Sequence, residues 1–165
     1  MTRRHKQVIP FLSIAALVIA LDQTDQTTKS WVSHNLAIGE SLPAEGILRL
    51  THVQNTGATF GLFANQSVLL VVTPIICLLV IWLAFRYFMP MGKAGTISLG
   101  LIFGGAVGNL LDRIRYGYVT DFFDIRLWGD FHWPVFNIAD TALVAGTAVL
   151  VIFLIILMRT GKLET

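Results

Sequence analysis

Long apolar stretches separated by polar segments dominate the chain. Residues 8–21, 67–85, 96–111 and 134–158 are apolar almost throughout. Each approaches the roughly 20 residues that a helix needs to cross about 30 Å of hydrocarbon. Only a helix or a closed barrel satisfies its own backbone in lipid, so the pattern predicts four membrane-spanning helices. The first stretch is the shortest and borrows the polar residues that follow, giving spans of about 8–25, 67–85, 96–113 and 134–158. Pro74 marks the expected kink of the second. Between the spans, an alternating segment around Leu48 to Gln54 and another near Tyr118 to Leu127 predict strands. The expected fold is therefore an all-α membrane protein with a small extracytoplasmic β-sheet, in one domain over residues 1–165.

Composition supports this. Of 165 residues, 55% are hydrophobic and 13% charged, against about 45–50% and about 25% in soluble domains. A net charge of +2 gives no sign of a nucleic-acid partner, and a single cysteine, Cys77, builds neither a disulfide framework nor a thiolate metal site. The distribution of charge says more. Arg3, Arg4, Lys6, Arg86, Lys93, Arg159 and Lys162 crowd the two tails and the short middle loop. The two longer loops hold only Lys29, Arg49, Arg113, Arg115 and Arg126. The positive-inside rule then places both termini in the cytoplasm. Residues 8–21 also read as the apolar core of a signal peptide, but three further spans follow. Trp128, Phe131 and Trp133 suit the bilayer interface.

Polar chemistry collects at the outer face. Asp140 is a carboxylate about 9 Å inside a helix that begins at Pro134, and an ionisable group in that position is a functional candidate by default. The plainer reading is a structural Asp bonded to Asn137 or Thr141. Asp121 sits among apolar and aromatic neighbours just before that helix. Two carboxylates brought to one site cannot both ionise cheaply and share a proton. One then takes a proton from water as the water attacks a carbonyl, while the other donates to the carbonyl oxygen. No metal or other cofactor is required. The four histidines show no ligand spacing and read as surface or interfacial groups.

Asn55-Thr56-Gly57 reads either as an amide and flexible backbone for gripping an extended peptide or as a plain turn. Asn109 and Arg113, four apart, share a helix face. Arg113 has a second reading, snorkelling to headgroups. Asp112 is read as structural, pairing with Lys29 or Arg115. Gly104, Gly105 and Gly108 favour close helix packing over a lipid-accommodating notch.

Five stretches together resemble one family, bacterial lipoprotein signal peptidase (signal peptidase II). They are Asp25-Gln26-Thr27-Thr28-Lys29, Asn55-Thr56-Gly57-Ala58-Thr59-Phe60-Gly61, the segment from Gly104 to Arg113 containing Gly108-Asn109, Val119-Thr120-Asp121-Phe122, and Phe136-Asn137-Ile138-Ala139-Asp140. The resemblance implies a membrane aspartic endopeptidase that cuts diacylglyceryl-modified prolipoproteins before the lipidated cysteine. It assigns catalysis to Asp121 and Asp140, and substrate contacts to Asn55, Gly57, Asn109 and Arg113. Supporting roles fall to Asp25, Lys29 and Asn137. It also implies a multi-pass protein of the bacterial cytoplasmic (inner) membrane, its site at the outer face, with prolipoprotein and bilayer as partners and no obligate protein partner.

The chain departs from the family pattern by an extra Asp22-Gln23-Thr24 before the Asp25 box. Spacing to Lys29 selects Asp25, while Asp22 lies nearer the apolar stretch; the sequence leaves both open. The alternative function is a proton- or cation-coupled transporter component, which requires polar groups in both halves of the membrane. A noncatalytic assembly factor would account for the glycines but not for the paired acids.

Overall fold

The computed structural model describes residues 3–57, 67–88, 92–129 and 131–160. Four helices and four strands follow in the order α1 (Arg3–Asn35), β1 (Ser41–Leu42), β2 (Leu48–Asn55), α2 (Ser67–Phe88), α3 (Gly92–Tyr116), β3 (Val119–Trp128), β4 (Phe131–Phe136) and α4 (Ile138–Arg159). Among the described residues, α4 and nearly all of α3 are long and apolar enough to cross a membrane. A shorter apolar stretch, Leu70–Leu83, lies within α2 and contains Pro74. Much of α2 and α4 faces outward with bare apolar side chains, among them Ile76, Leu79, Leu83, Ile152 and Ile156. In a soluble protein such faces would be liabilities. Facing hydrocarbon, they need no partner.

Two helix boundaries differ from the sequence expectation. The loop expected from Asp22 is helical to Asn35, so α1 runs 33 residues, about 50 Å. The polar residues did not end the helix because Asp25, Lys29, Val32 and Leu36 recur at helical spacing and form one buried stripe of mixed polarity. The fourth helix begins at Ile138 rather than Pro134, because Pro134, Val135 and Phe136 belong to β4. Asp140 consequently stands in the first turn of α4 instead of well inside it.

The strands form one antiparallel sheet in the order β1-β2-β3-β4. Both predicted strands, β2 and β3, are present and paired, with Val53 opposite Asp121 and Asn55 opposite Val119. Phe122 is fully buried against Val32 and Leu36 of α1, so the polar-looking end of α1 fixes the sheet to the helices. His52 corrects the reading of the histidines as surface groups. It is buried and donates from Nδ1 to the Leu36 carbonyl at 2.9 Å, where β2 meets the end of α1.

Glycines set how closely the helices approach. A Cβ on Gly100 or Gly104 would press on Leu17 or Leu21 of α1. One on Gly105 would overlap the Ala139 carbonyl oxygen of α4 and stand 3.0 Å from the Leu143 nitrogen. Gly146 on α4 meets the Ser98 carbonyl in the same way, and Ser98 Oγ donates to the Gly146 carbonyl at 2.8 Å. The glycine pattern is thus used for packing α3 against both α1 and α4.

Candidate active site

Asn137 organises the site. It caps α4, its side-chain oxygen accepting the Asp140 backbone N–H at 2.9 Å, while the Asp140 carboxylate accepts the Asn137 backbone N–H at 3.2 Å. This reciprocal capping box satisfies two donors that a helix start leaves open. The Asn137 Nδ2 then reaches out of the helix and donates to Asp121 Oδ1 on β3 at 2.7 Å. One asparagine therefore touches both carboxylates, and the distance between them is set by its length.

Each acid has a second amide donor. Asn55 Nδ2 donates to Asp121 Oδ2 at 2.9 Å, and Asn109 Nδ2 donates to Asp140 Oδ1 at 2.7 Å. Asn55 also turns the chain locally, its oxygen accepting the Gly57 N–H at 2.9 Å. Arg113 joins α3 to that turn through Nη2 and the Gly57 carbonyl, 3.3 Å apart. Asp121 is 2% exposed. Burial raises its carboxyl most and the Asp140 charge raises it further, against the hydrogen bonds from Asn55 and Asn137 and the Lys29 charge; the result is pushed up to about 7.

Lys29 is clamped by Asp25 Oδ2 at 2.6 Å and Asp112 Oδ2 at 2.8 Å. Asp25 also accepts the Ala139 N–H at 3.0 Å, adding a carboxylate to the N-terminus of α4. The structure thereby places Asp25, not Asp22, beside the acids, and gives Asp112 its pairing with Lys29. It brings together Asp25, Lys29, Asn55, Gly57, Asn109, Arg113, Asp121, Asn137 and Asp140. Residues 58–61 of the second motif lie outside the described residues.

Both acids line a cleft of about 950 Å³. Asn55, Gly57, Asn109 and Arg113 form its polar side, and Trp133, Phe136, Leu143 and Val144 its apolar side. Leu143 and Val144 also line a second, apolar cavity of about 550 Å³ that follows α4 to Val151 and Ile152. A ligand that is polar at one end and greasy at the other fits such a surface.

Sequence reasoning missed a second cluster, on the outer sheet. Asp124 accepts from Thr51 Oγ1 and His132 Nδ1, each at 2.8 Å, and from Arg49. Burial alone would raise its carboxyl, but the hydrogen bonds from His132, Thr51 and Arg49 outweigh it and hold the group below the usual carboxylate range. The available signal was register: Arg49 and Asp124 become opposite partners once β2 and β3 are paired.

Comparison with known proteins agrees with this geometry. Residues 14–156 match the family model described as signal peptidase (SPase) II. The lipoprotein signal peptidase of Moorella thermoacetica is 44% identical over 143 residues, covering 86% of this chain and 90% of that protein. Those of Desulforapulum autotrophicum and Halothermothrix orenii are 41% and 40% identical, again over 84% and 86% of this chain and 86% and 92% of theirs. A bacterial membrane enzyme solved by the in meso method at 2.3 Å superposes with a TM-score of 0.77 at 28% identity, covering 89% of this chain and 90% of that one. The transporter reading finds no support in these relationships. The chain belongs to the signal peptidase II family.

Proposed function

We propose that the protein is an aspartic endopeptidase of the bacterial cytoplasmic membrane that removes the signal peptide from diacylglyceryl-modified prolipoproteins. Cleavage falls before the lipidated cysteine, with Asp121 and Asp140 as the catalytic pair. The observation that carries the reading is two carboxylates tied through Asn137 at the mouth of an apolar cleft. Four spans, with both termini in the cytoplasm, put this mouth at the outer face, as the crowding of basic residues into the tails and middle loop supports. The signal helix and acyl chains of the substrate are themselves apolar and enter sideways from the bilayer along α4.

In the reaction the ionised carboxylate takes a proton from water as its oxygen bonds to the scissile carbonyl carbon. The protonated carboxylate donates to the carbonyl oxygen, giving a tetrahedral diol. The first acid then passes its proton to the leaving nitrogen as the C–N bond breaks, and the second recovers its own from the collapsing hydroxyl. Asn55 and Asn137 steady Asp121, and Asn109 steadies Asp140. The Gly57 turn and Arg113 line the path of the peptide backbone. Asp25, Lys29 and Asn137 support this arrangement from behind, and the whole of residues 1–165 acts as one domain.

The test is cleavage of a lipidated prolipoprotein by the purified protein in lipid nanodiscs. Asp121→Asn and Asp140→Asn are each expected to lose at least a thousandfold in rate while remaining folded, and the unlipidated precursor is expected to stay uncut. Normal turnover by either variant refutes the assignment.

A further inference from the structure

Lys29 is almost fully buried on α1, and its ammonium meets three acceptors: Asp25 Oδ2, Asp112 Oδ2 and, at 3.1 Å, Asn109 Oδ1. An ammonium has three N–H groups and no lone pair, so every donor is engaged. Charge balance accounts for the two carboxylates. It does not account for the third bond, which goes to a neutral amide whose other end reaches the acid pair.

The two ends of an asparagine amide have nearly the same shape, and their partners decide which is oxygen. At Asn109 one end faces two donors, Lys29 Nζ and Asn137 Nδ2 at 3.0 Å, and must be the oxygen. The nitrogen is thereby turned to Asp140. In the flipped orientation an amide oxygen would face the Asp140 carboxylate, a contact that is favourable only if Asp140 carries a proton to donate. The orientation of one amide therefore selects which acid starts protonated.

We propose that Lys29 is a positioning residue: by fixing the Asn109 amide it makes Asp140 the partner that takes the proton from water and leaves Asp121 as the partner that begins protonated. This rests on the catalytic reading of the two acids. Asp140 meets donors from Asn109 and from the Asn137 backbone in the first turn of α4, and Arg113 adds a positive charge from α3. Asp121 sits on a strand, without a helix start behind it, and its carboxyl lies near neutrality. Lys29 with Asp25 and Asp112 makes a trio of net charge −1, so its effect on the pair runs through the amide rather than as a bare cation.

The experiment is the pH profile of kcat/KM, measured in nanodiscs with a lipidated peptide. The double variant Lys29→Met with Asp112→Asn keeps the trio at −1 while removing the donor to Asn109; Asp112→Asn alone and Lys29→Arg serve as controls. The double variant is expected to move the acid limb upward by about one pH unit, a tenfold loss on that limb, with KM unchanged. Both controls are expected to keep the parental limb. A uniform drop in kcat at all pH values with an unmoved limb, or no change, overturns the proposal. Should the double variant fail to fold, Asn109→Asp keeps an acceptor for Lys29 and removes the donor to Asp140; the same upward movement is expected, and an unmoved limb overturns the proposal. Activity surviving in Asp121→Asn or Asp140→Asn sinks the catalytic reading itself; loss of activity there with an unmoved limb in the Lys29 variants sinks only the positioning role.

Discussion

Replacing Asp121 by Asn should make the protein inactive but, at alkaline pH, more stable. The parental carboxyl rises from an ordinary 3.8 to about 7 on folding. An acid raised in this way contributes stability that is fully present below pH 3.8 and is lost as the pH climbs through 7, because the folded state alone then resists ionisation. At about 1.4 kcal/mol per pH unit the loss amounts to about 4 kcal/mol at pH 8. Asn cannot ionise and escapes it. Against this, an amide replaces one acceptor oxygen with a donor, so either Asn55 or Asn137 loses its partner, at about 1–3 kcal/mol. The variant should therefore exceed the parent by about 1–3 kcal/mol at pH 8, a few degrees in unfolding midpoint, and fall below it by a similar amount near pH 4. Thermal unfolding followed by tryptophan fluorescence in detergent, at several pH values from 4 to 8, measures the crossover. A variant less stable than the parent at pH 8, or a difference independent of pH, would show that Asp121 is not held in the environment described.

Two further substitutions probe the scaffold. Gly105→Ala should separate α3 from α4, because its Cβ would overlap backbone of Ala139, and should lower both stability and cleavage; Gly100→Ala meets only the mobile end of Leu17 and should cost much less in the same assays. Asp124→Asn should destabilise by about 1–3 kcal/mol at pH 7. The parental carboxyl is held low, so its contribution is present above about pH 4 and lost as pH falls through the folded value; the difference between variant and parent in thermal scans should shrink accordingly below pH 4.

The sequence was most readable where one physical requirement dominated. Hydrocarbon demands uninterrupted apolarity, and α2 and α4 declare it; alternation about Leu48 and Tyr118 announced β2 and β3. The end of α1 was hidden because its buried stripe mixes Asp25 and Lys29 with Val32 and Leu36, and a stripe of mixed polarity looks like a loop until its partners on α3 and β3 are known. The start of α4 was hidden for another reason. Asn137-Ile138-Ala139-Asp140 carries the spacing of a capping box, but the apolar run through Pro134, Val135 and Phe136 continues the hydrophobicity of the helix and masks the boundary. The two acids stood out individually; the amides that hold them were connected only by resemblance until the distances supplied a physical reason.

That reason concerns rigidity as well as charge. A pair of acids placed on two flexible loops would relax apart, since each carboxylate gains by finding water. Here Asp140 is the N3 residue of a helix, and Asp121 lies inside a paired strand between Thr120 opposite Gln54 and the buried Phe122. Asn137 spans the gap with one side chain while its backbone is already committed to the helix start. Moving the acids apart would therefore break the cap of α4 or the β2–β3 ladder. The strain of holding a half-neutralised pair is opposed by elements that the membrane-facing helices and the α1–Phe122 contact stabilise independently, which is how a site that disfavours its own charge persists in a chain of this size.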